Sequence, residues 1–502
     1  MTNQQKLKKL FAILEEVEAY GRCLGKVNFD MECCAPEEGI EKAGEDMAIL
    51  GKRLHKLTHS KTFETLVCEL HADDEGLTPV QKKTVEHLYD YYSKSKNISA
   101  KLSYEMDLAE SKAYGAWLKA KKAGDFSLFR DAFADQVKYT RLAVELRDEK
   151  KATVYDTCLD DIEKGGSIEQ LDAFFAALKA RIVPLLRRVV EEGKPIREDF
   201  MSRPVPVSAQ EAMSRWLLEI EGLRKSALVL MTTEHPFTTN FGRCDVRVTT
   251  HYHENSFISN VFTTLHEGGH ALFMQNEPQE IHDEHCADSM SNAMHETISR
   301  FYENIIGRSE AFIAFAAPKI REFAGGVFDD ISERELFEAV NVARPSLIRT
   351  EADELSYCLH ILIRSELEKA FINGEITVDE VPALWNAKYK EYLGIEVPDD
   401  ARGCLQDVHW AGIDYGYFPS YALGNAYGVQ ILRTMEKDFD VFAAVRAGEL
   451  TKIRDWLTEK VFSIASLTTP DEWIRAITGE PLNPDYFLDY LEDKFTKLYE
   501  LK

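Results

Sequence analysis

Apolar residues recur at three- and four-residue steps along most of the chain, and that period predicts a mainly helical protein. Leu7, Leu10, Phe11, Leu14 and Val17 predict an amphipathic first helix. Residues 168–192 carry Ile168, Leu171, Phe174, Phe175, Leu178, Ile182 and Leu185 on one face, with a kink expected at Pro184. Comparable patterns predict helices over about 80–122, 208–232, 284–306, 334–372 and 483–500. One stretch breaks the period. In "CDVRVTTHY", residues 244–252, Val246 and Val248 alternate with charged residues, which predicts a strand. "ENSFISNVF" after it is expected to continue a small sheet.

The stretch 193–210 holds three prolines and no apolar period. It separates an N-terminal helical portion, 1–200, from a portion spanning 201–502. Both sides are helical and neither looks self-contained, so the expectation is a surface loop within one unit of 502 residues. Sixty basic residues against 85 acidic ones give a net charge of −25, which repels nucleic acid and anionic lipid. No apolar run approaches the roughly 20 residues of a membrane span. The first 24 residues lack the apolar stretch and cleavage site of a signal peptide. Nine cysteines, an odd number without a CxxC pair, point to reduced thiols in a cytoplasm.

Eight of the fourteen histidines fall between residues 235 and 295, and there the chain reads "TTLHEGGHALF", 263–273. At roughly 100° per residue, His266 and His270 stand about 40° apart on one helix face, one turn apart. Two imidazoles so placed can grip one zinc ion, while Glu267 beside them serves as a general base on water and not as a ligand. Chance predicts under about 0.07 such motifs in a chain of this composition. "HKLTH" at 55–59 has the same histidine spacing but Lys56 where the base belongs, and reads as an ordinary helix face. Gly268 and Gly269 cost the helix roughly 1 kcal/mol each. The rotation puts Gly269 beside the metal face, where a side chain would crowd the metal, and points Gly268 away, toward a closely packed backbone. A catalytic zinc needs a third protein ligand. His285, Asp288, His295, Glu296 and Glu303 are all candidates downstream, and spacing does not choose among them.

Other short motifs extend the pattern. "HPF" at 235–237, "DVRVT" at 245–249, "HEGGH" at 266–270, "HET" at 295–297, "IRTEADE" at 348–354, "GCLQDVHW" at 403–410 and "GYFPSYALGNAYGVQ" at 416–430 occur in that order. Together they resemble the carboxypeptidase Taq family of metallocarboxypeptidases over most of the C-terminal 270 or so residues, with Thr297 where that family has serine. The N-terminal 200 residues resemble it more diffusely.

The resemblance implies a mainly helical metallopeptidase with a deep groove and a small β-sheet beside the metal. It implies Glu296 as third ligand with His266 and His270, and one zinc ion per chain, with cobalt as an alternative metal. It also implies a cytosolic homodimer that removes single residues from peptide C-termini with broad specificity. Glu267 then takes a proton from water and passes it to the leaving amine. His409 and Tyr421 are the candidate donors to the new oxyanion. A free C-terminal carboxylate is best held by a fixed guanidinium, with Arg349 as first choice and Arg247 as rival. His235 is placed along the groove, and Asp353 and Asp407 are candidates to orient ligands or His409. Two other readings use the same site: a zinc oligopeptidase cutting within short peptides, and a non-catalytic metal-binding protein.

Overall fold

Helices begin where the chain supplies caps. Thr2 and Gln5 form a capping box at the start of a 31-residue helix, Asn3–Cys33, whose buried Leu7, Leu10 and Leu14 follow the apolar stripe. The computed structural model describes residues 1–287 and 289–502, so Asp288 lies outside the described residues. The first helix packs with Phe63, Leu66, Val67 and Val85 into a small cluster of its own. A second, much larger core runs from Ala113 to Leu501 and takes in Phe200 and Val205 from the proline-containing stretch 193–210. Ile168–Glu192 forms one helix that includes Pro184. All nine cysteines are free thiols. No described helix is long and apolar enough to cross a membrane.

Several long patterns resolve into shorter elements. The 80–122 pattern divides into Pro79–Ser95 and Ala100–Ala123, because Ser99 caps a new helix by accepting from the Leu102 N–H. The 284–306 pattern is helical only from Asn292, and 334–372 splits into Glu333–Val340 and Tyr357–Asn373. The 208–232 pattern is helical only over Val207–Ile220, and its end is a strand. That strand, β1 (Leu228–Thr232), pairs in parallel with β3 (Val246–Thr250), Leu230 opposite Val248. β2 (Thr238–Asn240) pairs antiparallel with β3 on its other side, Thr239 opposite Arg247. The sheet stops there. "ENSFISNVF" does not extend it, because from Phe257 the chain enters the helix Phe257–Asn276, which carries the HEGGH motif. Phe257, Ile258, Val261, Phe262 and Leu265 are its buried face.

That helix lies against Asn292–Arg300, which continues as a π-helical segment, Phe301–Ile306, and then against it lies Phe418–Met435. Glycines set the spacing. A Cβ on Gly269 would sit 2.7 Å from the Ile298 carbonyl oxygen and 2.8 Å from Ser299 Cα. On the other side, a Cβ on Gly424 would sit 3.1 Å from the Glu296 carbonyl carbon. The close backbone approach expected at Gly268 therefore falls at Gly269 instead. Gly269 admits the neighbouring backbone, and Gly268 makes room for the Glu221 carboxyl group. Glu221 is fully buried without a hydrogen-bond partner among the described residues, and burial pushes its pKa far up from the ordinary 4.5.

The surroundings of Gly269, Gly21 and Glu221 each set a stability effect. Gly269→Ala forces a backbone shift and should lose about 1–3 kcal/mol in denaturant melts. Gly21→Ala, in the first helix with nothing within 4 Å of the added Cβ, should gain up to about 1 kcal/mol. Glu221 has a folded pKa above its unfolded one, so its contribution to stability is intact below about pH 4.5 and is lost as pH rises toward the folded value. Melts from pH 4.5 to 8.5 should show wild type losing stability relative to Glu221→Gln. Parallel curves would contradict the protonated carboxyl.

Candidate metal centre

The helix Phe257–Asn276 presents His266, Glu267 and His270 to a cleft of about 490 Å³, and the close approach at Gly269 brings Glu296 to the same place. One ligand atom from each of His266, His270 and Glu296 lies within 4.8 Å of the others. Both imidazoles are held from behind. His266 Nδ1 is 2.9 Å from Glu303 Oε2, and His270 Nδ1 is 2.6 Å from His295 Nδ1. Burial first, and the neighbouring His270 second, push His295 down to about 3, so it is neutral. A proton on Nδ1 of each ring in these contacts would leave Nε2 with the lone pair that a metal takes.

Burial would raise Glu296, but Arg300 and then His266 and His270 hold it far below the usual carboxylate range. Glu303 is likewise raised by burial and pulled down to about 2, chiefly by Arg300. Arg300 serves both: Nε donates to Glu296 Oε1 at 2.7 Å and Nη1 to Glu303 Oε2 at 3.1 Å. Arg308 Nη2 also reaches Glu303 Oε1, at 3.8 Å, so the two carboxylates face two guanidiniums. Two imidazole nitrogens plus one carboxylate are a donor set suited to zinc and its neighbours, so these residues fit a metal.

Glu267, 6% exposed, is fixed by a residue of the sheet. Thr238 Oγ1 on β2 lies 2.7 Å from Glu267 Oε2 and 3.0 Å from its carbonyl oxygen. Tyr421 and Tyr417 stand on the cleft wall. His409 lies behind Tyr421, its Nε2 3.3 Å from the phenol oxygen and its ring stacked on Phe418 at 4.4 Å. Burial outweighs the pull of Asp407 and sets His409 down at about 4, a neutral imidazole.

Arg349 is buried behind the same wall and, like Arg247, is not part of the cleft lining; its guanidinium is 5.0 Å from the Tyr421 ring centre. Its Nε donates to Asp407 Oδ1 at 2.9 Å and its Nη1 to the Tyr357 hydroxyl at 3.0 Å. Arg364 Nε binds the other oxygen of Asp407 at 2.7 Å. Asp407 thus serves two guanidiniums, and one positive charge remains uncompensated. Tyr357 links Arg349 to Arg300, which donates to its hydroxyl at 3.0 Å.

The remaining sequence candidates fall elsewhere. Arg247 is paired with Asp245 at 2.9 Å and sits over Phe29 and Phe241, outside the cleft lining. His235 is exposed, while the next residues, Pro236 and Phe237, do line the cleft. His285 is 2.5 Å from Glu18. Asp353 accepts from the Ser356 N–H and hydroxyl in a local turn. Thr238 and Tyr357 had no signal in the sequence, because each acts through a tertiary contact, whereas Arg300 stands four residues after Glu296 and three before Glu303, a helical spacing that could have found it, and Tyr417 lies inside the 416–430 motif.

Against proteins of known family, residues 9–495 match the carboxypeptidase Taq (M32) metallopeptidases. Carboxypeptidase 1 of Bacillus subtilis is 38% identical over 495 residues, 98% of this chain and 99% of that protein. Thermostable carboxypeptidase 1 of Thermus thermophilus is 34% identical over 99% of this chain and all of its own length. Among solved structures, the M32 carboxypeptidase of Deinococcus radiodurans superposes with a TM-score of 0.95 at 29% identity, covering 99% of this chain and 100% of its own. Similarity that runs unbroken from the first helix to the last, with the histidine motif inside it, places this chain in the carboxypeptidase Taq (M32) family of metallopeptidases.

Proposed function

We propose that this chain is a zinc-dependent carboxypeptidase of broad specificity, releasing one amino acid at a time from peptide C-termini as a cytoplasmic homodimer. The observation that supports it best is the convergence of His266, His270 and Glu296 beside Glu267 in one cleft. In this reading the two histidines and Glu296 hold one ion per chain, zinc or alternatively cobalt. The bound metal supplies a Lewis acid that acidifies water and polarises a carbonyl. Glu267, steadied by Thr238, takes the proton from water and delivers it to the departing amine. Tyr421 donates its phenol proton in a hydrogen bond to the developing oxyanion, and the neutral His409 behind it orients the hydroxyl.

Recognition of the free carboxylate falls to the surplus positive charge of the Arg349–Asp407–Arg364 group, with Arg349 nearest to the Tyr421 wall. A buried guanidinium shared in this way gains from a second anion, which the substrate's C-terminus provides. Phe237, Met274 and Met290 give the cleft adaptable apolar walls, consistent with tolerance of many side chains.

Mass spectrometry of one peptide, free or amidated at its C-terminus, tests the reaction on metal-loaded protein. A ladder losing single residues from the free peptide alone is expected. Internal fragments from both peptides would instead make the protein an oligopeptidase. No cleavage of either, with metal verified as bound, would favour a binding protein. Arg349→Ala should lose activity on the free peptide far more than on the amidated one, and equal loss on both would refute its role. Thr238→Val should lower kcat by roughly 10- to 100-fold with little change in KM, and Thr238→Ser should restore most of it. If valine were as active as threonine, the positioning of Glu267 by the sheet would be wrong.

A further inference from the structure

The wall of the metal cleft holds one carboxamide, and the metal site makes no use of it. Asn292 lines the cleft together with His266, His270 and Glu296. It is half-buried, and its carboxamide is neither sealed from solvent nor hydrogen-bonded among the described residues. Other polar groups of the wall are engaged: Thr238 holds Glu267, and His295 backs His270. The helix start does not occupy Asn292 either, because the N-cap residue is Ser291. Apolar side chains share its part of the wall, Met290 and, one turn beyond His270, Met274.

Position along the helix gives this carboxamide a task. Asn292, Glu296 and Arg300 follow one another at one-turn steps, so Asn292 lies about 6 Å from Glu296 along the axis and about 12 Å from Arg300. Arg300 leads through the Tyr357 hydroxyl to Arg349. The metal ligand Glu296 therefore stands between the arginine group and Asn292. On the carboxypeptidase reading, on which this inference rests, a peptide has its terminal carboxylate toward Arg349 and its scissile carbonyl at the metal, and its upstream part runs toward Asn292. An extended peptide advances about 3.4 Å per residue, so about 6 Å upstream is the backbone of the second residue before the bond that is cut. In an extended chain the N–H and C=O of one residue point to the same side, and a carboxamide offers an acceptor and a donor to match them. We propose that Asn292 binds the substrate backbone, accepting from the N–H and donating to the C=O of the second residue upstream of the cut bond. Such a contact favours peptides of three or more residues and is indifferent to the side chain at that position.

Hydrolysis of acetyl-glycyl-alanyl-phenylalanine and acetyl-sarcosyl-alanyl-phenylalanine by the zinc-loaded protein tests the contact. The two peptides differ by one N-methyl group, which removes the N–H of the second upstream residue. Wild type is expected to favour the glycyl peptide roughly tenfold in kcat/KM, and Asn292→Ala to cut that preference to about threefold or less. Asn292→Asp, which keeps the acceptor, should retain most of the preference. An equal preference in wild type and Asn292→Ala would overturn the assignment, and so would no preference in wild type. In both of these cases release of phenylalanine by wild type keeps the carboxypeptidase reading intact. Cleavage of neither peptide by wild type, with zinc verified as bound, would overturn both.

Discussion

The site depends on how closely two helix backbones approach at Gly269. His266, Glu267 and His270 share one helix, but Glu296 arrives from another, and their ligand atoms gather within 4.8 Å. An alanine at Gly269 would put its Cβ 2.7 Å from the Ile298 carbonyl oxygen, inside any normal contact. The partner helix is confined on its far side as well, since Gly424 sets the same limit at 3.1 Å from the Glu296 backbone. The helix carrying Glu296 is therefore clamped between two glycine-bearing neighbours. The helix propensity given up at these positions is small beside the precision a ligand needs.

The clamp carries a buried charge problem with it, and the arginines answer it. Arg300 bridges Glu296 and Glu303, Tyr357 bridges Arg300 to Arg349, and Asp407 joins Arg349 to Arg364. Each hydrogen bond satisfies a group whose isolated burial would cost several kcal/mol. Glu296 and Glu303 are balanced by Arg300 and Arg308, so the surplus positive charge of this chain of contacts lies at the Asp407 end. Glu303 lies seven residues, about two turns, after Glu296 and faces His266 from the π-helical segment Phe301–Ile306 that continues the same helix.

How much was legible in the sequence follows from how local each signal is. The histidine pair and Glu267 sit within one turn, so spacing alone identified them. Glu296 stood among five candidates of equal merit until the family resemblance chose it, because the contact that brings it to His266 lies in the packing. Thr238 is 29 residues from the carboxylate it fixes, and no period could connect them. The misread of "ENSFISNVF" has a different cause. The strand before it invited continuation, yet Phe257, Ile258, Val261, Phe262 and Leu265 already follow the helical period when the window extends to the HEGGH motif. The backbone approach expected at Gly268 falls at Gly269, because rotation about one helix gives directions but not neighbours.

Anomalous X-ray scattering at the zinc edge, on crystals of the zinc-loaded protein, tests the central claim most directly. The account predicts one peak per chain, bonded to Nε2 of His266, Nε2 of His270 and the Glu296 carboxylate, with Glu303 and His295 behind the imidazoles. A peak ligated by Glu303 or His295 in place of Glu296, or no peak between these helices, would contradict it.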